Sequence, residues 1–152
     1  MAKRKAAPLN ILVPVDGSAP SRRALRDAMA IARPARARIT ALHVVTPFEA
    51  LTYREALPAV ITLPDFERHA LDAADRILST VQRAARAAGV ACACHTAWQA
   101  SAADAIVTFA RRHGCDLIVM GSHGRRGLQR MLLGSVTHTV LASSRVPVMV
   151  CR

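Results

Sequence analysis

Aromatic residues are scarce. Three Phe, one Tyr and one Trp make up 3% of the 152 residues, too few to interleave with basic side chains as a base-stacking platform for single-stranded RNA. Long apolar runs are missing too. Stretches of about six to eight residues fall far short of the roughly 20 that cross a bilayer, so no membrane span is expected. The basic segment Met1–Pro8 lacks an apolar core and a small-residue cleavage site. It reads as an N-terminal tail rather than a secretory signal, and the cytoplasm is the expected compartment. The four cysteines, Cys92, Cys94, Cys115 and Cys151, show no C-x-x-C pairing, which argues for reduced thiols over a disulfide framework. No internal repeat or low-complexity segment is present.

The chain does hold enough aliphatic material for one domain, expected over residues 9–152. A chain of this length buries roughly 68–70% of its unfolded surface. Its 52% hydrophobic content, mostly Ala, Val, Leu and Ile, suits helices packed on aliphatic strands. Lys and Arg number 21 against 10 Asp and Glu, a net charge of +11, which favours contact with phosphates or anionic surfaces. The arginines read as scattered through the helices without a recognisable nucleic-acid module. A solvated basic face is the expectation, and nucleic acid is not an expected partner.

Strands and helices alternate along the sequence. Leu9–Val15 reads as a buried strand stopped by Asp16-Gly17-Ser18. Ser18 caps a helix with Pro20 in its first turn and Ala24, Leu25, Ala28, Ile31 and Ala32 at helical spacing, running to about Arg33 before Pro34. Ile39–Val45 is a second strand. Thr46–Leu63, with Pro47 and Pro58, reads as an irregular excursion with at most a helical turn. From Pro64 to about Ala88 a 3.6 period returns, closed by Gly89. Val90–Trp98 suits a strand, Ser101 opens a helix to about His113, and Asp116–Met120 is a fourth buried strand. After the loop Gly121–Leu133, Gly134-Ser135 leads a helix to about Ser143. Val146–Cys151 is a last strand interrupted by Pro147. Such a βαβαβαβαβ order calls for a parallel sheet with right-handed crossovers and helices on both faces.

Ligands of open parallel sheets bind beyond the carboxyl ends of the strands, where the winding reverses. Gly121 and Gly124 follow the fourth strand and Gly134-Ser135 opens the next helix, giving G-x2-G-x9-G-S. Glycine lets backbone approach phosphate oxygens, and a helix N-terminus offers free N–H groups and a favourable dipole. The spacing is neither a Walker A loop nor the G-x-G-x-x-G fingerprint.

With these motifs the chain resembles the universal stress protein family along nearly its whole length. ILVPVDGS (Ile11–Ser18), ALHVV (Ala41–Val45) and the segment from Asp116 to Val150, DLIVMGSHGRRGLQRMLLGSVTHTVLASSRVPVMV, carry the match. The resemblance implies a single-domain, doubly wound α/β fold, a five-stranded sheet in the order 3-2-1-4-5, and a homodimer joined through Val146–Cys151. It also implies the ATP-binding branch of the family, with ATP and Mg²⁺ as cofactor. Asp16 and the Val44 main chain would lie near adenine on a floor of Pro14 and Val15. Met120, Gly121, His123 and Gly124 would line the ribose and phosphate side, and Gly134, Ser135 and Val136 would hold the phosphates. Arg125, Arg126 and Gly127 depart toward a more basic loop.

Individual residues keep two readings each. Asp16 is a base or metal contact or a turn former; His123, Arg125, Arg126 and Arg130 meet phosphate or solvent. Strand alternation separates Cys92 and Cys94 from His95, against a metal site. Cys115 and Cys151 read as small core residues, and His43 as a bonded core histidine. No catalytic relay is recognisable, so a nucleotide-responsive stress regulator is expected, with slow hydrolysis or autophosphorylation at Ser135, Thr137 or Thr139 as the enzymatic alternative. A dimerisation module that uses no nucleotide is the other.

Overall fold

A computed structural model of the chain describes residues 9–52, 62–124 and 133–152. Five strands, β1 (Asn10–Pro14), β2 (Arg38–Val45), β3 (Cys92–Trp98), β4 (Leu117–Gly121) and β5 (Val148–Cys151), form one sheet in the order β3-β2-β1-β4-β5. Every pairing is parallel, as the alternation of elements requires. The helices are α1 (Ala19–Ala35), α2 (Phe48–Thr52), α3 (Leu63–Ala88), α4 (Ala102–Arg112) and α5 (Ser135–Ser143).

Pleat alternation sends the strand residues to two separate cores. Ile11, Val13, Ile39, Ala41 and Val119 pack beneath Leu25, Ala28, Leu78 and Val81 of α1 and α3. Leu12, Leu42, Ile118 and Met120 meet Ile106, Ala110 and Val140 of α4 and α5 on the opposite face. At the amino end of the sheet Asn10 is buried but fully engaged. Its side chain accepts from Thr40 Oγ1 at 2.7 Å and its main-chain N–H donates to Asp116 Oδ2 at 2.7 Å, so burial leaves no polar group unpaired there.

The helix signals work mostly where expected. Ser18 Oγ accepts from Ser21 N–H at 3.3 Å and Ser101 Oγ from Asp104 N–H at 3.2 Å, each satisfying a first-turn donor. Gly89 ends α3 at φ 67°, a left-handed conformation that suits glycine. Pro34, read as a breaker, instead lies inside α1, which continues to Ala35 and is stopped by Arg36 at φ 50°. A proline in the last turn costs one hydrogen bond just before the helix ends, and the N–H of Arg36 caps the carbonyls of Ala32 and Arg33. β5 begins at Val148, two residues later than read, because Pro147 has no N–H; its carbonyl still accepts from Ile118 at 2.9 Å. Part of the excursion after Thr46 forms α2, whose Phe48 packs on Phe66 of α3. The tail 1–8 and the remainder of that excursion lie outside the described residues.

Candidate functional site

β1 has β2 on one side and β4 on the other, so the connections leave it in opposite directions and a crevice opens between the carboxyl ends of β1 and β4. A cleft open to solvent lies there. Its walls include Pro14, Val15, Asp16, Val44, Met120, Gly121, His123, Gly124 and Val136, nine of the eleven residues expected at the site. The other two, Gly134 and Ser135, stand beside it at the start of α5.

Local bonds fix the β1 side. Val15 N–H donates to the Leu42 carbonyl at 2.9 Å. Nδ1 of His43, a buried residue, donates to the Val15 carbonyl at 2.7 Å, which sets its tautomer because a carbonyl only accepts. His43 is thus the bonded core histidine expected. Asp16 closes the turn that begins α1, its Oδ1 accepting from Ser18 N–H at 2.9 Å. Turn former and wall of the cleft are the same carboxylate.

On the opposite wall, three glycines lie where an added side chain would meet close neighbours. A Cβ at Gly121 would stand 2.8 Å from Pro20 backbone, and one at Gly124 would stand 2.8 Å from Asp16 Oδ2. A Cβ at Gly134 would meet His123 Cα at 3.3 Å and the Ser122 carbonyl at 3.4 Å. The Gly134 N–H donates to that carbonyl at 2.7 Å, which draws the start of α5 against the end of β4. Gly134 is the N-cap of α5 and supplies no side-chain bond, and no acidic residue occupies the first turn. The helix therefore presents main-chain N–H groups and the positive end of its dipole at the mouth of the cleft. His123 bonds Ser122 Oγ through Nδ1 at 3.2 Å. Arg125, Arg126, Gly127 and Arg130 lie outside the described residues.

Ser21, Leu42, Ala102, Ile106 and Thr137 complete the walls, and none of them was expected from the sequence as a lining residue. Ala102 and Ile106 are one turn apart on α4, a spacing that marks them as one face but does not say which cleft that face meets. Thr137 had entered as a phosphorylation candidate. It is 2% exposed and donates to the Gly121 carbonyl at 2.9 Å, so its hydroxyl is committed to holding α5 on β4, whereas Ser135 and Thr139 are exposed.

The cysteines lie away from this chemistry. Cys92 and Cys94 face the α1/α3 core, whereas His95 faces Phe109 of α4 and His113, which caps that helix. Burial, reinforced by Cys94, pushes the Cys92 thiol up to about 12, and burial with the nearby Asp27 pushes Cys151 up to about 11. Burial also raises Cys94 and Cys115. All four stay protonated and weakly nucleophilic near neutrality.

The sequence profile described as "Universal stress protein family" matches residues 9–152. Universal stress protein MJ0531 of Methanocaldococcus jannaschii is 34% identical over 145 residues, covering 93% of this chain and 81% of its own. The solved structure of protein MJ0577 from the same organism superposes with a TM-score of 0.79 at 26% identity, over 94% of each chain. A universal stress protein solved in complex with cAMP gives a TM-score of 0.71 at 25% identity, over 95% of this chain and 97% of that one.

Proposed function

Because this chain belongs to the universal stress protein family, we propose that it binds ATP with Mg²⁺ in the cleft between β1 and β4 and works as a nucleotide-responsive regulator. The observation that carries this reading is the glycine constriction. A Cβ at Gly121 would clash with Pro20 backbone, one at Gly124 would displace the Asp16 carboxylate, and one at Gly134 would crowd the backbone of His123 and Ser122; the three flank the start of α5 with its main-chain N–H groups. That is the environment a polyphosphate needs: close backbone, donors in place and a favourable dipole. The fold is shared with a relative holding cAMP, an adenine nucleotide.

In this reading adenine lies against Pro14, Val15 and Val44 beside Asp16. The ribose follows Met120 and Gly121. The phosphates meet His123, Gly124 and the first-turn N–H groups of Ser135 and Val136, and Mg²⁺ neutralises phosphate charge when bound. The chain's own contribution is binding and orientation; no residue is assigned to catalysis. Occupancy is proposed to alter the segment Ser122–Leu133, read as a change in its hydrogen exchange on adding ATP.

Calorimetry of nucleotide-stripped protein with Mg-ATP tests the site. Saturable binding, lost in folded Gly134→Val, is the expected result; absence of binding at millimolar ATP would overturn it. A homodimer through β5 is the companion proposal. β5 lies at the edge of the sheet with Met149 exposed and Val148 and Val150 half-buried, an apolar edge suited to a second copy. A species that sediments as a monomer at micromolar concentration would remove that part.

A further inference from the structure

The arginines that read as scattered in the sequence are aligned by the fold. On α1, Arg26 and Arg33 stand four and eleven residues beyond Arg22, intervals that return to one side of a helix, and the capping Arg36 follows just past the helix end. On α3, Arg83 lies two turns beyond Arg76, with Arg86 one turn further. Both helices cover the same face of the sheet, α1 over β4 and β5 and α3 over β2 and β3. They meet through Leu25, Ile77 and Val81, and Arg22 and Arg76 stand across one groove between them. All seven guanidinium side chains are exposed.

Asp72, one turn before Arg76 on the same side of α3, adjoins these rows but forms no ion pair with them. The acids of α3, Asp65, Glu67, Asp72 and Asp75, all precede Arg76, and none follows it to Ala88. The single acid of α1, Asp27, turns toward Cys151 of β5, away from α3. Among the described residues none of the seven arginines is in an ion pair; the pair found on these helices, Arg68–Asp65, lies near the other end of α3. Arg22 donates to the Gly17 carbonyl and Arg83 to Thr80 Oγ1 at 3.2 Å, bonds that leave the charge in place.

We infer that the α1/α3 face binds the phosphate backbone of double-stranded DNA without reading its sequence, independently of the nucleotide cleft. The α1 row from Arg22 to Arg33 spans about 17 Å at 1.5 Å per residue, and packed helices run about 8–10 Å apart. Two parallel rows of cations at that separation can straddle a B-form minor groove, about 6 Å wide, better than the wide, shallow minor groove of an RNA helix. A single strand would need aromatic platforms, and the exposed Trp98 is on β3. A bilayer would need apolar anchors, and the exposed large apolar side chains among the described residues include none on α1 or on α3 beyond Arg76. Arginine rows with neither feature position a backbone and carry no base readout.

The test is fluorescence anisotropy of a short labelled DNA duplex across a salt series, with two variants of equal net charge. One reverses Arg26, Arg33 and Arg83 to Glu; the other reverses Arg111, Arg112 and Arg145, which lie at the end of α4 and beyond α5 on the opposite side. The wild type is expected to show a slope of log affinity on log salt of about −4, at about −0.9 per phosphate met. The α1/α3 variant is expected to bind at least about tenfold more weakly with a slope shallower by about 2–3, the control variant to change little. If the reversal fails to fold, the same three arginines changed to Gln carry the comparison. Equal losses in both variants would make binding a property of the +11 net charge and overturn the inference. So would absence of binding at low salt, equal affinity for an RNA duplex, or preference for phosphatidylserine vesicles.

Discussion

Replacing Gly124 with alanine separates the site from the fold. The added Cβ would lie 2.8 Å from Asp16 Oδ2, closer than ordinary contact by more than half an ångström on the usual carbon scale of about 3.5 Å. The obstacle is the end of a short side chain, so the carboxylate yields and the backbone does not. Rotating Asp16 strains its bond to Ser18 N–H, whose loss costs about 0.5–1.5 kcal/mol of stability. For a chain of this size that is a fall in Tm of roughly 1–6 °C, leaving a folded protein. The effect on nucleotide is larger. If Asp16 bonds the nucleotide as proposed, its displacement forfeits a charged hydrogen bond worth about 1.5–3 kcal/mol, or roughly ten- to a hundredfold in Kd.

Calorimetry with Mg-ATP on wild type, Gly124→Ala, Asp16→Ala and the double variant reads this directly. If Gly124 acts by leaving Asp16 its place, the two losses are strongly non-additive and Gly124→Ala does little once Asp16 is gone. Equal losses in both backgrounds would refute the reasoning and leave Gly124 a direct phosphate contact alone.

Gly121→Ala meets Pro20 backbone at 2.8 Å, which cannot rotate away, so it should cost about 1–3 kcal/mol of stability in denaturant unfolding whether or not ATP is present. Thr137→Val keeps the shape but strands the Gly121 carbonyl; a loss of about 1–3 kcal/mol is expected, with α5 the first segment to gain hydrogen exchange. For the thiols the sign is set by burial. Cys92 titrates near 12 in the folded chain against an ordinary 9.0, so the unfolded chain releases its proton first. Stability is retained below pH 9.0 and declines as pH rises toward 12; Cys92→Ala should flatten that alkaline decline in unfolding curves. Met149→Arg on the β5 edge should convert the proposed dimer to a monomer in sedimentation, with little change in unfolding of the separated chains.

Much of this architecture was legible because its signals are local. Ser18, Ser101 and Gly89 mark helix ends by bonds to neighbours a few residues away, and aliphatic runs such as Asp116–Met120 mark buried strands. The glycine spacing located the cleft because sheet ends and helix starts sit in known relation. Boundaries at prolines were less legible. Pro34 can finish a helix as well as break one, and the outcome rested on Arg36 adopting positive φ. Ala102 and Ile106 were missed because their place in the cleft depends on how α4 packs, which spacing alone does not contain. The arginine rows were hidden for the same reason: the alignment of α1 with α3 joins residues some fifty positions apart, and only the sheet sets them side by side.

Backbone amide NMR of the nucleotide-stripped protein during titration with Mg-ATP reads the cleft residue by residue. ATP bound between β1 and β4 should give saturable shifts at Gly121, Gly124, Ser135 and Val136, with Val15, Asp16 and Val44 moving at the same midpoint. Shifts confined to other surfaces, or none at millimolar ATP, would contradict binding there.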